Sequence, residues 1–266
     1  MDDDFLPHSL GKEIEWIELN LLRKFTSISK STILSILQDT ADEDTVDSWI
    51  SELELRNSML TKPYYEFEGN TITPLLSWQD CPEYYLCLHF ACYGASKDTV
   101  GTRLFERISA IALKNFIGGE VYALGFPNEG NLNTHLDEIA LKCFETRGMQ
   151  ANSDYKDDGV DVICYKSFND NKSSNLYVLL QCAAGIHWKT KKTIELDRWS
   201  QYIYWTRKNI ITSISTAEHV KKSQWEKSAT DFGIIMDRTR INNWYINAID
   251  ADIRNEAIDW YNSIVL

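Results

Sequence analysis

The apolar residues at the start of the chain recur at the spacing of amphipathic helices. Three helices are predicted from this spacing, over residues 13–24, 31–37 and 44–60. Residues 64–75 then form two strand-like runs on either side of Gly69 and Asn70, a pair typical of a tight turn. Three helices followed by a β-hairpin indicate a small winged-helix module, which we place at residues 1–78.

Residues 79–134 are predicted to form a helical connecting region. Asp80-Cys81-Pro82 marks a break in the pattern, and an apolar segment follows it. Residues 102–116 (TRLFERISAIALKNF) have a strong amphipathic pattern, and Gly118-Gly119 is a signal that ends helices. We therefore expect one long helix that stops before these glycines.

From residue 135 onward the pattern alternates between helices and strands. A helix at 135–144 precedes strand-like runs at 159–168 and 176–185, which are separated by the polar turn NDNKSSN. The second run is continuously apolar, as is typical of a central strand covered on both faces. The remaining predicted elements are a helix at 196–205, a strand at 209–215, a helix at 223–231, a strand at 233–241 and a helix at 252–265. This order predicts an α/β fold, an α/β/α sandwich with a mixed sheet, over residues 135–266.

Charge narrows the range of functions. The chain has 266 residues, and its formal net charge is −12. Strong acidity counts against nonspecific binding of nucleic acid, because phosphates are met by Lys and Arg. It does not exclude a nuclease, since the distribution of charge matters more than its sum and the metal sites of nucleases are themselves acidic.

The cysteines and the N-terminus indicate the compartment. Six cysteines occur without a CxxC pair or zinc-finger spacing, which favours buried free thiols in a reducing environment. The N-terminal residues have neither a basic start nor the apolar core of a signal peptide. No stretch approaches the roughly 20 apolar residues of a membrane span, so we expect a cytoplasmic protein without membrane contact.

Asp161 is the first candidate for catalytic chemistry. It lies inside an apolar strand, where a carboxylate costs free energy unless it is paired or bound to a metal. Gln181 lies on the next strand, and antiparallel pairing across the polar turn would bring the two side chains together on one face. Their oxygens suit Mg²⁺ or Mn²⁺, which activate water for phosphodiester hydrolysis. We therefore expect Asp161 and Gln181 to hold a metal, with Asp158 as a further ligand.

The stretch DDGVDVICYKSF…LYVLLQCAAGIHWKTKK resembles the Mrr-like branch of the PD-(D/E)xK, or restriction-endonuclease-like, superfamily. That branch typically reads G-x-D, then an apolar hairpin, then Q-x-K. The resemblance covers residues 135–241. It implies a restriction-endonuclease-like core, metal-dependent cleavage of DNA, and the role of a prokaryotic anti-phage defence effector.

The chain departs from that pattern at Ala183, where the lysine of Q-x-K would stand. A lysine from the following loop could replace it, and we favour Lys189, with Lys191 second. The superfamily also places an acid on the helix before the hairpin. Glu138 is nearer in sequence, whereas Glu106 follows a phenylalanine in a helix resembling that of Mrr-like enzymes, and the choice between them stays open.

Positive charge gathers after the proposed site. Five residues are predicted to contact nucleic acid: Lys189, Lys191, Lys192, Arg207 and Lys208. The third helix of the winged-helix module is acidic instead, with Arg56 as its basic residue. We therefore expect this module to support the core or to contact a protein partner rather than to read DNA. A homodimer is also compatible with the sequence.

Two functions from different classes remain open. The first is a Mg²⁺- or Mn²⁺-dependent endonuclease acting on DNA, with RNA as an alternative substrate. The second is a catalytically degenerate nuclease fold that serves as a binding or scaffold subunit of a larger complex. Ala183 and the acidic net charge favour the second function.

Overall fold

The computed structural model describes residues 11–37, 41–125, 130–152, 156–207, 209–245 and 250–265. The helices are α1 (Glu13–Lys24), α2 (Lys30–Leu37), α3 (Glu43–Ser58), α4 (Pro82–Tyr93), α5 (Thr99–Ile117), α6 (Leu132–Cys143), α7 (Leu196–Tyr202), α8 (Lys222–Phe232), α9 (Arg238–Tyr245) and α10 (Ala251–Val265). The strands are β1 (Ile28–Ser29), β2 (Tyr65–Glu68), β3 (Thr71–Pro74), β4 (Glu120–Ala123), β5 (Thr146–Arg147), β6 (Val162–Lys166), β7 (Leu176–Ala183), β8 (Ile203–Tyr204), β9 (Ile210–Thr216) and β10 (Ile234–Met236). Short 3₁₀ helices lie at Trp78–Asp80 and Trp188–Thr190.

The N-terminal part contains the three helices and the hairpin that the sequence predicts. Strands β1, β3 and β2 form an antiparallel sheet in that order, with Ile28 opposite Ile72. The side chain of Asp42 accepts a hydrogen bond from the backbone N–H of Thr45 at 2.9 Å, which fixes the start of α3. The assignment of these elements as a winged helix stays a prediction.

A five-stranded sheet forms the centre of the molecule, in the order β10-β9-β7-β6-β4. Strands β4, β6 and β7 pair antiparallel, whereas β7, β9 and β10 pair parallel. The predicted mixed sheet is therefore confirmed. The central strand β7 is buried along almost its whole length, in accordance with its continuously apolar sequence.

Helices cover both faces of this sheet. On one face, which we call the α5 face, Phe105 packs with Val162, Leu180 and further residues of the largest apolar cluster. On the opposite face, Leu136 of α6 and Trp199 of α7 pack on β6 and β7, and Phe232 of α8 packs near β9 and β10. The alternation of side chains along each strand divides the core between the two faces.

Two elements differ from the prediction. Strand β4 pairs with β6, so the sheet extends across the boundary predicted at residue 135. The predicted strand at 233–241 ends at Met236, and helix α9 follows it. The side chain of Asp237 accepts from the backbone N–H of Arg240 at 3.0 Å, as a helix-capping residue does. This cap accounts for the change from strand to helix.

Buried ion pairs join α1 to α3 and to α9, the helix that follows the strand β10. The side chains of Glu18 on α1 and Arg238 on α9 form an ion pair at 2.9 Å, and each is 1% exposed. Glu15 on α1 pairs with Arg56 on α3, also at 2.9 Å. The largest apolar cluster runs without interruption across the boundary predicted at residue 78. Removing the N-terminal part would therefore expose core and leave Arg238 without its counter-ion.

The six cysteines are free thiols and all are buried, as the sequence predicts. Among the residues that the structure describes, no helix is both long enough and apolar enough to cross a membrane.

Candidate functional site

Asp161 lies at an irregularity in the sheet, immediately before β6. Its backbone N–H donates to the carbonyl of Leu180 at 2.9 Å, although Leu180 is the register partner of Val162. Two consecutive residues therefore face one residue of β7, which is the arrangement of a β-bulge. The Asp161 carboxylate accepts a hydrogen bond from the backbone N–H of Cys182 at 2.6 Å. The bulge and this bond fix the carboxylate at the end of the strand pair.

Glu106 approaches Asp161 from α5. The two residues line one cavity of about 680 Å³, which Asp157 also lines. Burial, and then the neighbouring charge of Asp161, raise the pKa of Glu106 to about 7. Burial likewise raises the pKa of Asp161 to about 6, against the opposing effect of its bond from Cys182. The structure thus brings two carboxylates into one cavity that is partly shielded from solvent.

Glu138 lies elsewhere. Its carboxylate accepts a hydrogen bond from the hydroxyl of Tyr122 at 2.8 Å, and that hydroxyl also bonds the ring of His135. Tyr122 belongs to the apolar cluster on the face opposite α5. Of the two acids left open by the sequence, Glu106 is therefore the one that meets Asp161.

The two candidate lysines point in different directions. The ammonium of Lys191 donates to the carbonyl of Cys182 at 3.1 Å, and its charge lowers the pKa of both Asp161 and Glu106 against the stronger effect of burial. The ammonium of Lys189 bonds Gln224 on α8 at 2.6 Å instead. Of the two lysines, Lys191 is therefore the one near the carboxylates, and a catalytic role for Lys189 stays a prediction. The 3₁₀ helix Trp188–Thr190 between the strand end and Lys191 produces this arrangement.

Gln181 is not on the face that the sequence predicts. Its neighbours Leu180 and Cys182 belong to the cluster on the α5 face, so alternation directs Gln181 to the opposite face. The bulge turns Asp161 to the α5 face, and the expected meeting of the two side chains on one face is therefore absent. The buried amide oxygen of Gln181 has no hydrogen-bond partner among the described residues. Its role as a ligand stays a prediction.

Asp158 has a structural partner for each carboxylate oxygen. One oxygen accepts from Arg198 at 2.8 Å and the other from the hydroxyl of Tyr202 at 2.9 Å. These bonds hold α7 to the turn before Asp161. Both oxygens of Asp158 thus have protein partners, and its role as a metal ligand stays a prediction. Asp157 lines the cavity instead, and it accepts the backbone N–H of Gly159 at 2.9 Å.

The predicted nucleic-acid contacts are spread over the surface. Lys192 and Arg207 are exposed, and Lys208 lies outside the described residues. Two other basic residues, Arg103 and Lys156, line the cavity with Glu106 and Asp161. Neither is among the five basic residues that the sequence predicts to contact nucleic acid. Helical spacing offered a signal for Arg103, because it lies three residues before Glu106 and thus on the same face of α5.

The chain has structural similarity to two restriction endonucleases. For MspJI in complex with a 27-mer oligonucleotide, the TM-score is 0.29 and the identity 14%, over 73% of this chain and 37% of that chain. For FokI bound to DNA, the TM-score is 0.25 and the identity 12%, over 94% of this chain and 48% of that chain. The chain spans less than half of either structure, and these scores are too low to establish a common fold. No protein-family model and no curated protein matches the chain.

The donor atoms at the site suit a hard divalent cation. Within the described ranges, no group of three or more His, Cys, Asp and Glu side chains is placed to hold a metal ion. Mg²⁺ does not require such a group, because it binds through one or two carboxylates and keeps water and substrate phosphate as its other ligands. The carboxylates of Asp161 and Glu106, whose pKa values are raised by burial, fit this kind of site.

Proposed function

We propose that the chain is a metal-dependent phosphodiesterase that cleaves DNA, with Asp161 and Glu106 as the residues that hold Mg²⁺ or Mn²⁺. The observation that carries the proposal is that Asp161 and Glu106 line one cavity, while Asp161 and Lys191 both bond the backbone of Cys182. Like charges in a partly buried cavity are unfavourable without a cation, so the two carboxylates gain when one is bound.

The bound cation would supply activated water and would stabilise the charge that develops on the phosphate. The protein's own residues prepare the site. The backbone of Cys182 orients two residues of the site. The N–H of Cys182 donates to the carboxylate of Asp161, and its carbonyl accepts from the ammonium of Lys191. Lys191, Arg103 and Lys156 bring positive charge to the two cavities that meet at Glu106, where a phosphate group can be attracted.

Finer assignments belong to the same proposal. A restriction-endonuclease-like core of the Mrr-like branch, a winged-helix N-terminal module and a role in anti-phage defence all rest on the sequence resemblance. DNA rather than RNA is the substrate implied by that resemblance. The basic residues at the site are compatible with either polymer.

The test is cleavage of plasmid DNA, linear DNA and RNA with Mg²⁺, with Mn²⁺ and with EDTA. Asp161→Asn should lower metal-dependent cleavage by about a hundredfold or more, because an amide oxygen holds a cation weakly and the substitution is almost isosteric. Glu138→Gln is the matched control and should cleave as wild type does. Equal cleavage by Asp161→Asn and wild type would place the active site elsewhere.

A second candidate function is a binding or scaffold subunit without catalysis. Ala183 is 2% exposed and packs in a cluster with Trp188 and Ile214, so an apolar side chain stands where the resemblance implies a lysine. The apolar surroundings of Ala183 favour the second function. Binding of DNA without cleavage under every metal condition would establish it against the first.

A further inference from the structure

A further cavity lies beside the proposed site, at the connection between α4 and α5. Its volume is about 830 Å³, within the range of small-ligand sites. Six of its lining residues matter here: Arg23, His89, Phe90, Tyr93, Lys97 and Tyr261. Phe90 and Tyr261 are buried, whereas Tyr93 is 36% exposed. The ring of His89 lies 5.0 Å from that of Tyr93. The cavity thus presents one accessible ring supported by further rings.

Basic side chains lie at the rim of this cavity. Arg23 and Lys97 line it together with one acidic residue among the lining residues described, Asp98. The carboxylate of Asp98 already accepts hydrogen bonds from the backbone N–H of Gly101 at 2.7 Å and from the indole of Trp260 at 2.6 Å. These two bonds tie the Asp98 side chain to α5 and α10. An aromatic wall with a basic rim matches the base and the phosphate of a nucleotide.

This cavity adjoins the proposed active site. Tyr93, Gly94 and Ser96 line it and also line a neighbouring cavity of about 760 Å³. That neighbouring cavity contains Glu106 and Lys191. A polymer whose phosphate lies at the carboxylates can therefore extend across Tyr93 into the aromatic cavity.

We propose that the aromatic cavity receives an unpaired nucleotide of the substrate strand, with its base against Tyr93 and its phosphate near Lys97 and Arg23. The proposal rests on the proposed nuclease function and names its substrate class. A base within a duplex is stacked and paired, so it cannot reach Tyr93 without being extruded. The preferred substrate is therefore single-stranded nucleic acid, or a strand with an unpaired end next to the cleavage point.

Binding without metal tests this inference apart from cleavage. Fluorescence anisotropy in EDTA would compare a labelled single strand with the matching duplex, using DNA and RNA in separate arms. Wild type should bind the single strand more tightly. Tyr93→Ala should weaken that binding about tenfold, the usual effect of losing one stacked base, while Tyr93→Trp should retain it. Tyr204→Ala, which removes a 54% exposed tyrosine on β8, is the matched control and should have no effect.

A charge variant guards against misfolding of Tyr93→Ala. Lys97 is exposed, so Lys97→Glu should fold normally and should still weaken single-strand binding, with a shallower dependence on salt. Equal affinity of wild type for single strand and duplex would overturn the inference, as would unchanged affinity in both variants. Tyr93-dependent binding with no cleavage under any condition would retain this site and reject the proposed nuclease function.

Discussion

Two clusters of buried charge in this protein are arranged in opposite ways. Between α1, α3 and α9 each glutamate faces an arginine, Glu15 with Arg56 and Glu18 with Arg238. Burial pushes the pKa of Glu15 upward, but the charges of Arg56 and Arg238 outweigh it and bring the value to about 2. At the end of the strand pair, Asp161 and Glu106 instead face each other, and their pKa values rise to about 6 and 7.

The difference separates charge that holds the fold from charge that is available for chemistry. A carboxylate whose pKa is lowered by an arginine is stable as it stands, and a cation has little to add. Carboxylates whose pKa values are raised by burial and by neighbouring carboxylates gain when a cation arrives. The first cluster therefore predicts sensitivity of folding to mutation, and the second predicts sensitivity of activity.

The largest effect on stability is expected from Glu18→Gln. The substitution leaves the fully buried Arg238 without its charged partner, which typically costs about 3–5 kcal/mol. Urea denaturation would measure the loss. The matched control is Glu43→Gln, whose ion pair with Lys30 involves a side chain that is 78% exposed. That surface pair should contribute about 1 kcal/mol or less. Similar losses in the two variants would contradict the distinction between the clusters.

A smaller effect, on activity, is expected from Lys191→Ala. Loss of its positive charge beside the carboxylates should lower the rate of cleavage about tenfold to a hundredfold. Lys189→Ala removes a neighbouring lysine that bonds Gln224, and it should leave the rate nearly unchanged. Steady-state kinetics with Mg²⁺ would compare the two. A greater loss in Lys189→Ala would favour the lysine that the sequence alone suggested.

The first cluster, in which glutamates pair with arginines, also surrounds His219. It therefore predicts how the stability of the fold depends on pH. Burial, followed by the charges of Arg56 and Arg238, lowers the pKa of His219 to about 3. The charged groups that face it are Glu15, Glu52, Arg56, Lys221, Asp237 and Arg238. The unfolded chain takes up a proton below about pH 6.5 and the folded chain does not. The contribution of His219 to the free energy of unfolding is therefore fully present above that pH. It is lost as the pH falls toward the pKa of the folded state.

The limiting slope for one such group is about 1.4 kcal/mol per pH unit. Urea denaturation at several pH values between about 7 and 4 would show it, and His219→Gln should reduce the slope by up to this amount. Comparing the slopes of wild type and His219→Gln cancels the contributions of the other titratable groups. An unchanged slope in His219→Gln would show that this ring is protonated in the folded state.

The smallest effect is expected from Glu106→Gln in the absence of metal. Removing one of two mutually repelling, partly buried carboxylates should raise stability by up to about 1 kcal/mol, a shift of a few degrees in Tm. Differential scanning calorimetry with EDTA would measure it. Adding Mg²⁺ should stabilise wild type more than the variant, because the variant lacks a ligand. A lower Tm for the variant in EDTA would indicate a structural role for Glu106.

The sequence predicts most of the helices and the central hairpin because their apolar periods are long and regular. It fails where one residue changes the geometry. At Asp161, strict alternation predicts that Gln181 shares its face, but the bulge opposite Leu180 adds a residue and turns the carboxylate toward α5. Nothing in the apolar pattern reports such an insertion, because Val160 and Val162 are apolar on either side of Asp161.

Other differences from the prediction involve local sequence signals that are weaker than the apolar pattern around them. The run Ile234–Met236 continues the strand pattern, and Asp237 could have been identified as a helix cap followed by helix-compatible residues. Strand β4 is short and follows the two glycines that end α5, so it resembles a loop. The position of Lys191 depends on a 3₁₀ helix after β7, and tertiary packing of Trp188 decides its path.

The ion pair between Glu18 and Arg238 has a consequence for the order of events during synthesis. The two residues are separated by 220 positions along the chain. At typical translation speeds, Arg238 leaves the ribosome on the order of ten to forty seconds after Glu18. During that interval the carboxylate on α1 has no charged partner to be buried with, although α3 and α4, which pack on α1, have already been made. The N-terminal helices are thus made first, whereas the ion pair that buries the charge of Glu18 can form only after α9 has been made.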